Sequence, residues 1–387
     1  MKKIEVKSLR AGLIFTQPVF IEGNNLLVPA GIAVRKKDIE RLSSWGIETV
    51  ETDGEVTQAS RQNFITPEEP PKTAVSSPLP AAAQENKGVY QTYQALIEEL
   101  DVVFSHISSQ VSSDIAFIED ITERLFRAVQ EQRDSMVRYI LGGEIAGREM
   151  AKNSLNTAIL STLIAMELNI PNYKILQIII GALLHDVGML RIPKEIVEKK
   201  GGLSKEELRS IQTHPLHTYQ IICKELGYPE EVGAAAFQHH ERWDGGGYPR
   251  RLAGEAIDLG ARIISVADAF EAMVSRKPYR NSLMGYQAMK NLLSDNSRRF
   301  DPNILRAFIK TMGIYPIGSI ILLNNGNIAR VVEVQGTAPL RPKIRILMDK
   351  AGKTYKKDEG NVINLLAEKD LFIARAMDLR ELTKGHE

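Results

Sequence analysis

Cysteine, net charge and long apolar runs are all scarce in this chain. Their scarcity excludes several classes of protein. Cys223 is the single cysteine, which excludes an internal disulfide and a cysteine-rich zinc site. The formal net charge is +1, so we expect no general attraction to DNA or to anionic lipid. The most apolar run, 175–184, is too short to span a bilayer, and the N-terminus lacks an apolar signal segment. These absences predict a cytoplasmic protein with no DNA partner and no membrane span.

The composition is otherwise that of an ordinary soluble protein, with 43% of the residues hydrophobic and 25% charged. The length of 387 residues predicts two or three domains. Short apolar segments between turn residues predict a small β-rich domain at 1–53. The proline-rich stretch 54–88 predicts a disordered linker. Helical periodicity then runs to about 313, and an Asn-Gly turn between two apolar segments predicts a second β unit, 314–368, before a tail, 369–387. The predicted fold is therefore mainly α, with small β-rich units at both ends.

Residues 89–148 are predicted to form a helical connector. Aromatic and aliphatic side chains recur there at three- and four-residue spacing from Tyr90 to Ile115. Such a stripe packs either on its own domain or on a partner. A homodimer through the helix that starts at Val89 is therefore one expectation, and an intramolecular core is the other.

Histidine is concentrated in one part of the chain, where five of the seven histidines fall between 185 and 240. Histidine and aspartate are common ligands of transition metals, so this crowding predicts a site with more than one metal. His185-Asp186, at the end of an apolar segment, could also be a buried histidine followed by a helix-capping aspartate. His217 is expected to be structural. The residues that we assign to the predicted site are His185, Asp186, His214, His239, His240 and Asp268.

Several short motifs accompany these histidines. The segment from His239 to Pro249 reads HHERWDGGGYP, and Leu184 to Gly188 reads LHDVG. Further along lie the segments VAD, at 266–268, and FDP, at 300–302. In combination these motifs resemble the HD-GYP branch of the histidine-aspartate phosphohydrolases. The resemblance runs from about Glu149 to Ile309, and we therefore expect 149–313 to be an HD-GYP domain.

The resemblance implies an all-helical HD-type fold that holds two or three divalent metal ions, most often iron or manganese. It implies hydrolysis of cyclic di-GMP to linear pGpG or GMP in second-messenger signalling, with GGDEF-type signalling domains as protein partners. Asp186 and His185 would then be catalytic, within a ligand set completed by the other four site residues. Substrate-binding positions carried over from the family are Gly246, Gly247, Tyr248, Pro249, Lys277 and Arg280.

Two positions depart from the family pattern. Asn153 stands where the family's first histidine is expected, and an amide oxygen is a weaker ligand than imidazole. Glu149, one turn earlier, could compensate as a further ligand. Met189 replaces a lysine that usually follows the His-Asp pair. Two interpretations therefore stay open: a cyclic di-GMP phosphodiesterase, or a weakened or inactive module that acts as a cyclic di-GMP receptor or protein-interaction domain.

Overall fold

A computed structural model describes residues 2–21, 25–28, 49–57, 87–110, 115–142, 148–199, 201–275, 285–294, 298–355 and 359–377, with single positions between 30 and 42. The chain divides into two compact units, residues 1–78 and 79–387. The predicted mainly α architecture with small β-rich units at both ends is confirmed. The predicted linker 54–88 is corrected at both ends, because a strand at Val56–Thr57 and a helix that begins at Lys87 lie within it. Residues 58–86 of that linker lie outside the described residues. The other finer domain boundaries remain predictions, except at the C-terminal tail.

The first unit is built from short antiparallel strands. A four-stranded sheet has the order β1-β5-β3-β4, and β2 pairs with β6 in a separate ribbon. Phe15, Val19 and Val50 are buried beneath these strands. The strands are β1 (Lys2–Glu5), β2 (Ile14–Phe15), β3 (Val19–Ile21), β4 (Asn25–Val28), β5 (Thr49–Thr52) and β6 (Val56–Thr57).

The second unit begins with a helical body. In the described residues its α-helices are α1 (Lys87–Ser108), α2 (Ile115–Gly142), α3 (Glu149–Glu167), α4 (Asn172–Leu184), α5 (Lys194–Val197), α6 (Lys205–Ile211), α7 (His214–Gln220), α8 (Glu230–Phe237), α9 (Leu259–Val274), α10 (Gly285–Ser294) and α11 (Pro302–Met312). Helix α2 is kinked at Gln132, whose backbone leaves the helical region. The tight turn at 187–191 and the wide turn at 221–225 join α4 to α5 and α7 to α8.

Helix α3 is the centre of this body. It contacts α1, α2, α4, α9 and α11, and it is therefore buried on nearly every side. Polar side chains on it must then find partners inside the protein. The Tyr93 hydroxyl donates to Asn156 Oδ1 at 2.7 Å, and Asn156 Nδ2 donates to Glu271 Oε1 at 3.2 Å. These bonds join α1 to α3 and α3 to α9.

The apolar stripe of α1 packs within its own chain. Eight side chains of the helix, from Tyr90 to Ile107, are buried, and the helix contacts α2 and α3. The intramolecular alternative therefore accounts for the stripe. The homodimer through this helix stays a prediction.

A five-stranded antiparallel sheet forms the C-terminal part of the unit, with the order β10-β9-β8-β7-β11. Its strands are β7 (Ile320–Leu323), β8 (Ile328–Glu333), β9 (Lys343–Met348), β10 (Val362–Asn364) and β11 (Ile373–Met377). The predicted hairpin is confirmed, since β7 pairs with β8 across the Asn-Gly turn. The predicted tail is corrected: Ile373 packs on the core of the sheet and Met377 is buried, so this segment pairs with β7 as a strand.

One segment of the described chain, Asn172–Arg191, is long and apolar enough to cross a membrane by length and composition alone. It comprises α4 and the turn that follows. Some 67% of its most apolar 18-residue stretch is buried in the helical body.

A single arginine holds the loop between β10 and β11. Arg341 Nη1 lies 3.1 Å from the carbonyl oxygens of Leu365, Glu368 and Leu371. Removing it takes this donor from all three carbonyls, of which that of Glu368 also accepts the Leu371 amide, at a cost of about 1–3 kcal/mol. We expect Arg341→Ala to reduce amide protection of 359–377 in hydrogen–deuterium exchange, whereas Lys350→Ala, at an exposed position of the same unit, leaves it unchanged.

Candidate metal centre

The predicted site residues come from four places in the helical body. His185 and Asp186 directly follow α4, in the turn that leads to 187–191. His214 is the first residue of α7. His239 and His240 follow α8, and Asp268 lies in the middle of α9. Helix ends and one helix face therefore converge on a common centre.

Gly188 lets the His-Asp turn lie directly on the start of α7. A Cβ atom at this position would lie 2.1 Å from the carbonyl oxygen of His214 and 2.6 Å from the amide nitrogen of Thr218. The Thr218 hydroxyl donates to the His185 carbonyl at 3.0 Å and accepts the Gly188 amide at 2.9 Å. Glycine is thus needed here for a close approach that brings His214 beside Asp186.

Three of the imidazole rings are oriented in the same way. Nδ1 of His185 lies 2.8 Å from the Ala182 carbonyl oxygen, and Nδ1 of His239 lies 2.6 Å from that of Ala236. His214 Nδ1 makes the same contact three residues back, at 2.7 Å from the Ile211 carbonyl. Because a carbonyl only accepts, these contacts place the proton on Nδ1. The lone pair of the neutral ring is then on Nε2, which faces the centre.

The inward-facing atoms form two overlapping groups that share His239. Asp186, His214, His239 and His240 make up one group, and His185, His239 and Asp268 the other, each with ligand atoms within 4.8 Å of one another. Asp186 Oδ1 lies 3.2 Å from His214 Nε2 and 3.7 Å from His239 Nε2. His185 Nε2 lies 3.6 Å from Asp268 Oδ1. The arrangement could hold two neighbouring metal ions.

The ligand atoms would be better satisfied by a metal ion than by hydrogen bonds to one another. Nε2 of His214 and Nε2 of His239 are buried, and neither has a hydrogen-bond partner among the described residues. A buried acceptor left in this state costs about 1–3 kcal/mol. A cation coordinated by these nitrogens would satisfy both. Imidazole with carboxylate is a ligand set that suits divalent iron, manganese or zinc.

The protonation of the site follows from its crowding. Burial lowers the pKa of His185, but the carboxylates of Asp186 and Asp268 outweigh burial and raise it to about 9. Burial holds the pKa of His240 at about 4 and that of His239 well below its usual range. Near neutral pH, and without metal, one ring is therefore protonated and two are neutral.

The loop that follows His240 is held by carboxylates of its own. Glu241 is 2% exposed and accepts the Arg250 and Leu252 amides at 2.6 and 3.0 Å. Gly247 has no room for a Cβ, which would lie 2.4 Å from the Arg242 amide nitrogen. Sequence reasoning missed the role of Glu241, although an acid between two histidines and a glycine-rich turn was a usable signal.

Tyr248 connects this loop to the centre. Its ring lies 4.7 Å from the ring of His240, centroid to centroid, at an interplanar angle of 33°. Gly246 and Pro249, on either side of the Gly247-Tyr248 pair, are exposed. The loop residues predicted to bind substrate thus border the histidine cluster.

The other predicted site residues are Glu149, Asn153, Lys277 and Arg280. Glu149 is an exposed residue of the first turn of α3 and belongs to neither ligand group. Asn153 is half-buried one turn later on the same helix. Lys277 and Arg280 lie outside the described residues.

Comparison with protein families agrees with this geometry. Residues 128–304 match the HD domain family, and residues 320–385 match a KOW domain associated with HD domains. The first match contains every residue of the histidine–aspartate cluster, together with the His239–Pro249 segment. Residues 128–304 therefore belong to the HD domain family, in its HD-GYP branch.

Relatives of this HD-GYP protein occur in several bacteria. It is 25% identical over 362 residues to the cyclic di-GMP phosphodiesterase PdeB of Borreliella burgdorferi, covering 94% of this chain and 92% of that one. It is 34% identical over 166 residues to the 3'3'-cGAMP-specific phosphodiesterase 3 of Vibrio cholerae, covering 43% and 36%. A solved structure, Bd1817, an HDG"Y"P protein from Bdellovibrio bacteriovorus, aligns over 79% of this chain and 97% of that one, with 15% identity and a TM-score of 0.47.

The close approach at Gly188 can be tested by substitution. Gly188→Ala forces a methyl group into backbone atoms that cannot turn away, a strain of about 1–3 kcal/mol or more. We expect lower bound metal by elemental analysis and a lower melting temperature. Gly202→Ala is the control, because a Cβ there meets nothing within 4 Å. Equal metal content in both variants would contradict the proposed role of this glycine.

Metal binding by the HD-GYP centre is expected to depend on pH through His185. A metal must displace the proton that the two carboxylates hold on this ring, so apparent affinity rises with pH up to about 9. The same shift stabilises the metal-free fold below pH 6.5, and this stabilisation is lost as the pH rises through about 9. Manganese titration calorimetry in buffers of different ionisation enthalpy measures the released proton. Constant affinity from pH 6 to 9 would be inconsistent with a protonated His185.

Proposed function

We propose that the protein is a metal-dependent phosphodiesterase that hydrolyses cyclic di-GMP to linear pGpG or GMP. The observation that carries the proposal is the pair of overlapping ligand groups around His239, with two buried imidazole nitrogens aimed into it. Two metals a few ångströms apart are a common arrangement in enzymes that cleave phosphodiesters. The activity of PdeB, which the chain matches over nearly its whole length, supports the same substrate.

In this proposal the ligands are the six residues of the two groups, with iron or manganese as the metals. Asp186 is a ligand that a substrate can reach from solvent, because its side chain is 38% exposed, against 23% for that of Asp268. Its carboxylate lies within 4 Å of Nε2 of His185, His214 and His239, and in this proposal it would supply oxygen ligands to the metals. When bound, the metals supply Lewis-acid stabilisation of charge on the phosphate oxygens.

The loop is proposed to bind and orient the nucleotide. The Tyr248 ring, packed against His240, offers an apolar face for a base or ribose directly beside the ligands. The exposed backbone at Gly246 allows a close approach by the substrate. Glu241 holds the two ends of this loop together and thereby limits its freedom in the unliganded protein. Lys277 and Arg280 remain proposed phosphate or guanine contacts.

A second candidate is a receptor without turnover. Asn153 and Met189 favour it, since both replace family residues that would strengthen the metal site or the binding of phosphate. The intact loop would still bind cyclic di-GMP. The Vibrio cholerae relative acts on a mixed guanine–adenine dinucleotide, so cyclic GMP-AMP is a necessary alternative substrate in any assay.

The two candidates differ in turnover. Manganese- or iron-loaded protein is expected to release pGpG or GMP from cyclic di-GMP under anaerobic conditions, as measured by chromatography. Asp186→Asn keeps the shape of the side chain but removes its charge, and it should abolish release. Binding of cyclic di-GMP without any product would establish the receptor instead.

The departures from the family are expected to limit the rate. Restoring an imidazole with Asn153→His and an ammonium with Met189→Lys should raise kcat about 10- to 100-fold, the range for a charged contact on developing negative charge. Leu190→Lys, at the half-buried neighbouring position, is the control for added charge. No increase in the double variant, with metal content unchanged, would show that these positions do not limit catalysis.

A further inference from the structure

One side of the loop is fixed to the segment just before α11. The Trp243 amide donates to the Arg299 carbonyl at 2.9 Å, and the Asp244 amide donates to the Arg298 carbonyl at 2.8 Å. These two bonds act like a short strand pairing. They keep the backbone of Arg299 beside the loop that carries Tyr248, whatever side chain position 299 has.

Most cations around this loop are neutralised or exposed. Arg242 pairs with Asp244, and Arg262 pairs with the buried carboxylate of Asp301, each at 2.9 Å. Three further arginines lie fully on the surface: Arg250, Arg251 and Arg298. Arg299 differs because it is half-buried and has no carboxylate partner in the part of the chain that the structure describes.

The guanidinium of Arg299 is held in place without using its donors. Its carbon lies 4.9 Å from the centre of the buried Phe300 ring. A cation–π contact uses the flat face of the guanidinium, so the N–H groups at its edge remain available. A half-buried arginine with unused donors is suited to an anionic ligand.

The position of Arg299 relative to the centre follows from the same loop. The Trp243 amide, which donates to the Arg299 carbonyl, and the Tyr248 ring, which lies 4.7 Å from the ring of His240, belong to one segment, His239–Pro249. The backbone pairing therefore places Arg299 beside the segment that borders the metal ligands.

We propose that Arg299 is a substrate-binding residue whose guanidinium holds phosphodiester oxygens of the cyclic dinucleotide. This inference rests on the proposed function and deepens it. A planar guanidinium can donate two parallel hydrogen bonds to one phosphate, a geometry that lysine cannot reproduce. Arg299 supplies a cation at the loop, in a site where Met189 stands in place of the lysine that usually follows the His-Asp pair.

The test compares Arg299→Gln, Arg299→Lys and a matched control, Arg298→Gln, in the full-length manganese-loaded protein. Both arginines contribute their backbone carbonyls to the loop, and these remain in every variant. Arg299→Gln is expected to raise KM for cyclic di-GMP about 10- to 100-fold, the range for one charged hydrogen-bond contact, with kcat changed far less. Arg299→Lys should lie between wild type and Arg299→Gln, and Arg298→Gln should match wild type.

Two further measurements distinguish the loss of a phosphate contact from an effect on turnover or folding. Equilibrium dialysis with a phosphorothioate analogue of cyclic di-GMP should show the same loss of affinity without turnover. An ionic contact with phosphate weakens with salt, so KM should rise less steeply with KCl in Arg299→Gln than in wild type. Melting temperatures that match wild type exclude misfolding as the cause.

The possible results point to different conclusions. Wild-type KM and analogue affinity in a folded Arg299→Gln would overturn the inference and leave the proposed function intact. The inference is also overturned if Arg298→Gln is equally impaired, or if the salt dependence of KM is unchanged. A wild-type protein that neither binds the analogue nor hydrolyses cyclic di-GMP would overturn the proposed function, and this inference with it.

Discussion

The metal centre depends on one repeated interaction, the hydrogen bond from an imidazole Nδ1 to a carbonyl three residues earlier. It fixes the rings of His185, His214 and His239, and in each case the carbonyl belongs to the turn just before the ring. The bond selects the tautomer and directs the Nε2 lone pair inward. Without it the rings could turn and satisfy Nε2 elsewhere. The centre is thus set by local backbone geometry at three helix ends, and the packing of those helices only has to bring them together.

Packing these helix ends together has a free-energy cost. This cost explains why the surrounding helices are so extensively buried. Imidazoles and carboxylates buried together are unfavourable unless a cation or a proton compensates them. In the metal-free site the ring of His185 supplies a proton between two carboxylates. The surrounding helices hold the rings in place meanwhile, because α3 and α4 are almost wholly buried and leave little room for rearrangement.

The sequence was sufficient to find the clustered side chains that lie in short motifs, and insufficient to find contacts made across elements. His185, Asp186 and His239 could be found because histidine beside acid in an apolar setting is rare. The tight turn at Gly188 could not, since what requires glycine is the carbonyl of a residue 26 positions away, His214. The strand at 373–377 was missed for the same reason: its alternation is weak, and it is stabilised by pairing with β7 and by the packing of Ile373 on the core of the sheet.

Helix α3, which carries Asn153, is nevertheless held firmly by buried hydrogen bonds. Asn153 lies on α3, one turn before Asn156, which accepts the Tyr93 hydroxyl from α1 and donates to Glu271 on α9. Glu271 lies three residues after Asp268, so this buried chain of bonds ties the helix that carries Asn153 to the helix that carries Asp268. In the proposed ligand set, asparagine in place of histidine at position 153 therefore changes a donor atom without freeing the backbone that presents it. Under the proposed function, the effect of Asn153 on activity is then the effect of one side chain on a helix that buried hydrogen bonds hold in place.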